Sequence, residues 1–292
     1  RGLTTNDVAA LAWRDAWRLQ ARNHPWMTGG LGLALLAVAW LLASGIRQGL
    51  SGGGEPLRLA VLGGLAGFGA TAVGALAGVT LRRLSQRAED SLLGFAAGMM
   101  LAASSFSLIL PGLAAAREMT GSGPQAALTV VGGMALGVLL MLGLDRFTPH
   151  EHDSTGPCGP GCERIGRVWL FVLAITLHNL PEGMAIGVSF AQGDMNVGLP
   201  LTSAIAIQDI PEGLAVVMAL RAAGIGSWPA VLMAGASGLM EPLGSLFGAG
   251  IAGGLALAYP VGLGLAAGAM IFVVSHEVIP ETHRNGHQTT AT

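Results

Sequence analysis

The 292-residue sequence predicts an all-α fold, a polytopic transmembrane helical bundle of about eight spans. Three observations carry this reading. The chain is 52% hydrophobic and 11% charged, against about 25% charged residues in a soluble globular domain. Its mean hydropathy is +0.60, and its apolar runs repeatedly reach the ~20 residues that cross a bilayer as a helix. Glycine is abundant, at 46, beside only eight phenylalanines, six tryptophans and one tyrosine. That balance suits helices that pack closely through small residues. The alternating segments of about ten residues that mark a transmembrane β-barrel do not occur.

The elements run in order along the chain. Residues 1–26, with Trp13, Trp17 and Trp26 among arginines, read as a cytoplasmic amphipathic lead-in. The first span is "MTGGLGLALLAVAWLLASGI" (27–46); it is too long for the core of a signal peptide and has 26 residues ahead of it. Further spans are placed at 58–81, 91–114, 124–145, 167–190, 199–220, 228–250 and 256–280. In the second span, small-xxx-small spacings at Gly63/Gly67 and Gly74/Gly78 mark a close-packing stripe. The longest interruption, "FTPHEHDSTGPCGPGCERIG" (147–166), reads as a flexible polar loop. The remaining loops are short, which favours antiparallel neighbours. The opening Arg1 and the polar tail 285–292 are expected to be edges of a longer product.

Charge placement sets the orientation. All fifteen basic residues are arginine. With a cytoplasmic N-terminus, twelve fall inside and only Arg47, Arg58 and Arg117 fall outside, a positive-inside bias. The expected location is a cell membrane, crossed several times. Cys158 and Cys162 then lie in a cytoplasmic loop, where a structural disulfide is not expected. The net charge of −2 gives no sign of a nucleic-acid partner.

The chemistry sits in a local repeat, "HNLPEGMA" (178–185) and "QDIPEGLA" (208–215). The two copies lie on consecutive antiparallel spans, which points to a site near the bilayer midplane. His178 and Glu182 are four apart, as are Gln208 and Glu212; Asn179 and Asp209 stand three before their glutamates. Each set shares a helix face. Glu241, in "SGLMEPLG", adds a carboxylate on the next span. An ionisable group at mid-bilayer costs at least ~2.5–3.5 kcal/mol, and no basic residue lies in mid-span to offset it. The natural counter-ion is a divalent metal, with protons competing for the same oxygens. Nitrogen with several carboxylates and no thiolate suits Zn²⁺, Cd²⁺, Fe²⁺ or Mn²⁺. Pro181 and Pro211 leave the Leu177 and Ile207 carbonyls without a helical partner, which is expected to turn backbone oxygens toward the site.

Other polar residues read two ways. Met99 and Met100 suit packing better than ligation. His276 and Glu277, in "SHEVIPETHR", could be an exit way-station or could snorkel to the interface. His150, His152, Cys158 and Cys162 could form a metal-catching tract or a plain polar linker.

With "LHNLPEGMAIGVSF" (177–190), "QDIPEGLAV" (208–216), "SGLMEPLG" (237–244) and "SHEVIPETHR" (275–284), residues 57–284 resemble the Zrt/Irt-like (ZIP) divalent-metal transporters, in particular their bacterial GufA-type members. The resemblance implies a homodimeric carrier with eight core helices, of which this chain would hold seven behind one extra N-terminal span. It implies a binuclear site: His178, Glu182, Gln208, Asp209 and Glu212 with Met100 nearby, and a companion of Asn179, Glu182, Asp209, Glu212 and Glu241. It implies Zn²⁺ or Cd²⁺ as the transported ion, no organic cofactor, import into the cytoplasm, and an elevator-like motion of the first, fourth, fifth and sixth core helices. A last helix after the tail would complete the family pattern.

Two other classes compete. An intramembrane metalloprotease would want a second histidine four residues after His178, where Glu182 stands. A di-iron bundle would want Glu-x-x-His on two helices. Neither pattern occurs, so no enzyme activity is expected. A metal sensor would bind ions without moving them.

Overall fold

The computed structural model describes residues 13–49, 54–81, 85–147, 150–152, 156–158 and 167–283. Residues 1–12, the tail 284–292 and Cys162 lie outside the described residues. The described residues are helical apart from one small hairpin. Helix α1 (Trp13–Asn23) leads into α2 (Pro25–Gly49), followed by α3 (Glu55–Thr80) and α4 (Gln86–Ala102). A π-helical turn (Ala103–Ile109) joins α4 to α5 (Leu110–Thr120), and α6 (Gly123–Phe147) comes next. Beyond strands β1 (His150–His152) and β2 (Gly156–Cys158) come α7 (Arg167–Phe190) and α8 (Met195–Ala222). The bundle closes with α9 (Ser227–Ser237), α10 (Met240–Ala252), α11 (Ala258–Val273), a second π turn (Val274–Val278) and α12 (Ile279–His283).

Among the described residues, seven spans are long and apolar enough to cross a membrane. An eighth expected span corresponds to α7, whose 24 residues reach about 36 Å at 1.5 Å per residue. Leu33, Leu36, Trp40, Leu128 and Leu232 are exposed on the outside of the bundle, as lipid-facing side chains should be. In place of the plain loop expected after α6, β1 and β2 pair antiparallel, with His150 opposite Cys158.

Prolines shape the spans without ending them. The span expected at 91–114 runs instead over Arg87–Thr120, because the chain passes Pro111 by widening into a π turn. There the Leu110 N–H reaches back five residues to the Ser105 carbonyl, which relieves the clash a proline ring makes with the preceding turn. The same device precedes Pro280, where the Ile279 N–H bonds the Val274 carbonyl. At Pro25 the solution is different. The Ala21 carbonyl, which a proline cannot bond, accepts from the Thr28 hydroxyl at 3.1 Å. Helices α7 and α8 continue through Pro181 and Pro211 without a break.

Close packing comes from glycine, where a missing Cβ lets two backbones touch. In α7 and α10, a Cβ at Gly187 would lie 2.8 Å from the Ala249 nitrogen, and one at Gly248 would lie 3.0 Å from the Met184 Cα. Helices α6 and α11 interlock likewise, with a Cβ at Gly133 falling 3.1 Å from the Leu265 nitrogen. The stripe on α3 is buried at Gly63, Gly67, Gly74 and Gly78, as its spacing predicts, and Gly74 sits against the Ile210 carbonyl of α8. Arg221, at the end of α8, donates to the Gly78 carbonyl of α3 at 2.8 Å. The turn between α7 and α8 needs Gly193, whose φ is 72°.

These contacts predict a contrast. Gly187→Ala should lower the thermal unfolding midpoint in detergent, by an overpacking cost of about 1–3 kcal/mol. Gly132→Ala, where an added Cβ meets nothing within 4 Å, should leave it unchanged or raised.

Candidate metal site

The polar residues expected from the repeat meet where α7 and α8 face each other. One carboxylate oxygen each of Glu182, Asp209 and Glu212 lies within 4.8 Å of the others. Glu182 and Asp209 are 1% and 2% exposed, and Glu212 is half-buried. The helical spacing explains the meeting, since each helix presents its polar residues on one face. Gln208, fully buried, donates from Nε2 to Glu182 Oε1 at 2.5 Å. Glu182 Oε2, Asp209 Oδ2 and the Gln208 carbonyl oxygen have no hydrogen-bond partner among the described residues. Buried acceptors with no donor facing them are strongly unfavourable. A cation held by the three carboxylates would offset that cost, and zinc–oxygen bonds of about 2.0–2.2 Å would require the group to contract.

His178 stands at the edge of this cluster. Its Nδ1 lies 3.0 Å from the Ala174 carbonyl, and a carbonyl can only accept, so Nδ1 carries the proton in that contact. Nε2 lies 3.1 Å from Glu277 Oε2, and Glu212 lies close to both residues. Glu277 therefore belongs to the site's rim. It arrives there on the π turn, where one extra residue per turn shifts the register of the residues beyond it by about 100°. His276 stacks on Phe272 with ring centroids 5.0 Å apart, and its Nε2 is 3.9 Å from Asp145 Oδ2 of α6.

Glu241 approaches from another side. The predicted span 228–250 is broken into α9 and α10, and Glu241 occupies the first turn of α10, where the helix dipole favours a carboxylate. It is fully buried, and its Oε1 accepts from the Thr71 hydroxyl at 2.7 Å. Asn179, 2% exposed, makes one long contact, donating to Ser237 Oγ at 3.4 Å.

Comparison with known proteins decides the family. The description "ZIP Zinc transporter" matches residues 146–291. Over 280 residues the chain is 66% identical to zinc transporter ZIPB of Bordetella bronchiseptica, covering 96% of this chain and 91% of that protein. The chain belongs to the ZIP family. It is also 42% identical over 223 residues to zinc transporter GufA of Myxococcus xanthus, covering 76% of this chain and 88% of that one. With human zinc transporter ZIP11 the identity is 30% over 312 residues, covering 78% and 90%. Membership makes this a multi-pass membrane transporter and not an enzyme, and the GufA-type resemblance holds.

Within this ZIP protein, His178, Glu182, Gln208, Asp209 and Glu212 come together, with Glu241 adjacent. Met100 is 1% exposed and packs in the apolar core with Ala97, Ala103 and Ile186. His150, His152 and Cys158 are placed only by their strand register. Sequence reasoning missed Thr71, Ser237 and Asp145. Thr71 carried one faint signal, its position four residues after Gly67 in the small-residue stripe.

The Gln208 contact generates a prediction. Gln208→Leu removes the donor on Glu182 Oε1 and frees that oxygen to swing. The ratio of Zn²⁺ to Cd²⁺ affinity should change several-fold while binding persists, as read by competitive titration of the purified protein.

Proposed function

We propose that this protein imports Zn²⁺ into the cytoplasm through a binuclear carboxylate and histidine site, with Cd²⁺, Fe²⁺ or Mn²⁺ as further cargo. One observation carries the reading: three carboxylate oxygens from facing helices lie within 4.8 Å of one another, inside a bundle with membrane-length spans. Such a group in low dielectric attracts a divalent cation strongly. One subsite takes His178, Glu182, Gln208, Asp209 and Glu212; its companion takes Asn179, Glu182, Asp209, Glu212 and Glu241. Residues 57–284 form the transport domain behind the lead-in and the extra span. Glu277, His276 and Asp145 continue a line of polar side chains away from the site, which suits an exit toward the cytoplasm.

An alternating-access, elevator-like cycle agrees with the packing. Glycines lock α7 to α10 and α3 to α8 by backbone contact, and lock α6 to α11 separately. Between these two sets the contact at Gly262 meets only side chains, Val188 and Ala252, at 3.3 Å. Side-chain surfaces slide more readily than interlocked backbones. On this reading the N-terminus faces the cytoplasm, the membrane is a bacterial inner membrane, and the transporter works as a homodimer.

Reconstituted into liposomes holding a Zn²⁺-sensitive dye, the wild-type protein should admit Zn²⁺. Glu182→Ala and Glu212→Ala should each abolish the flux, because each glutamate serves both subsites. Wild-type flux in either variant would remove the proposed site. Tight Zn²⁺ binding with no wild-type flux would instead favour a sensor. Asn179→Asp should change binding at the companion subsite and leave transport measurable; complete loss would show that the two subsites are not separable.

A further inference from the structure

Glu241 commits one oxygen to a neighbour and leaves the other facing inward. Oε1 accepts from the Thr71 hydroxyl at 2.7 Å. Oε2 is buried and has no hydrogen-bond partner among the described residues. It occupies the space that a side chain at Gly67 would fill, and the same position lies 3.3 Å from Asp209 Oδ2. Two buried carboxylate oxygens from different helices, each facing the other instead of a donor side chain, thus converge over bare backbone of α3.

The direction of the Thr71 hydroxyl is fixed by packing. Thr71 is 6% exposed and lies one helical turn beyond Gly67 on the same face. Its Cβ and methyl carbon stand 3.1 and 3.2 Å from where a Cβ of Gly238 would be, at the break between α9 and α10, and Gly213 of α8 rests on its carbonyl. A β-branched side chain is stiff at χ1. With the methyl group held against Gly238, the hydroxyl has one direction left, toward Glu241.

We propose that Thr71 is a positioning residue for the cargo site. It holds Glu241 by Oε1 so that Oε2 meets Asp209 above Gly67, and the bare backbone of Gly67 is what admits the pair. This rests on the reading of the cluster as a cargo site. Thr71 touches no cargo; it acts through Glu241. Losing the hydroxyl lets the carboxylate rotate away, which weakens the α3 side of the site and leaves the Glu182–Asp209–Glu212 group in place. Gly67→Ala displaces the same carboxylate by collision, an independent route to the same defect.

The test uses the full chain in detergent and in liposomes. Zn²⁺ binding, Zn²⁺ flux, the Zn²⁺ to Cd²⁺ preference and the thermal midpoint are measured for wild type, Thr71→Val, Thr71→Ser and Gly67→Ala. Removing a donor to a charged group predicts about a tenfold rise in the KM for Zn²⁺ in Thr71→Val, with a smaller change in maximal rate. Thr71→Ser should recover most of the loss, and Gly67→Ala should raise KM and shift the Zn²⁺ to Cd²⁺ preference in the same sense as Thr71→Val. Unchanged KM and preference in Thr71→Val would overturn the proposal. So would a Thr71→Ser protein as impaired as Thr71→Val, since the defect would then track packing and not the hydroxyl. If Thr71→Val does not fold, Gly67→Ala decides: wild-type Zn²⁺ handling there would overturn the proposal. Absent flux in wild type would remove the transport reading alone, because weaker Zn²⁺ binding in Thr71→Val, restored in Thr71→Ser, still supports the positioning role.

Discussion

The bundle is arranged around carboxylates that face one another with no arginine between them among the described residues. Glu182, Asp209 and Glu212 share a space only 4.8 Å across, and Glu241 is buried beside them. Neutral donors do part of the work of holding them: the Gln208 amide on Glu182 and the Thr71 hydroxyl on Glu241. These fix one oxygen of each glutamate and leave the other aimed inward. Amides and hydroxyls orient a carboxylate without neutralising it, so the attraction for a mobile cation survives. An arginine in either position would have stabilised the empty bundle and removed its purpose.

Holding such a group inside a bilayer requires a stiff surround, and glycine supplies it. Helices α7 and α10 approach until backbone meets backbone, and α3 and α8 do the same at Gly74 and Gly213. Without a hydrophobic driving force between helices in lipid, close van der Waals contact is the main adhesive. The same absence of side chains makes room for the carboxylates at Gly67. One residue type therefore serves both the cohesion of the bundle and the volume of its site.

The sequence disclosed much of this, and the physical reasons for the rest can be named. His178, Glu182, Gln208, Asp209 and Glu212 were legible because helical periodicity alone puts them on shared faces. The spans were legible from length and apolarity, and the α3 stripe from its four-residue spacing. Glu277 was ambiguous because its direction depends on a π turn, and regular periodicity misplaces residues beyond an inserted one. Thr71 was hidden because its partner is 170 positions away and threonine is ordinary in membrane helices. The span around Pro111 reaches further at both ends than the apolar run alone suggests, since the chain widens at the proline and continues. The pairing of β1 with β2 was not foreseen in a segment rich in glycine and proline, which carries little strand signal.

The placement of charge at Glu241 has an electrical consequence. Moving one unneutralised charge across a membrane potential is worth about 2.3 kcal/mol per 100 mV. Glu241 stands at the start of a half-helix, in the first turn of α10, where the aligned peptide groups contribute the equivalent of roughly half a positive charge. That partial charge is part of the backbone and stays beside Glu241. It therefore offsets part of any negative charge that Glu241 carries and reduces how strongly membrane voltage can pull on that charge.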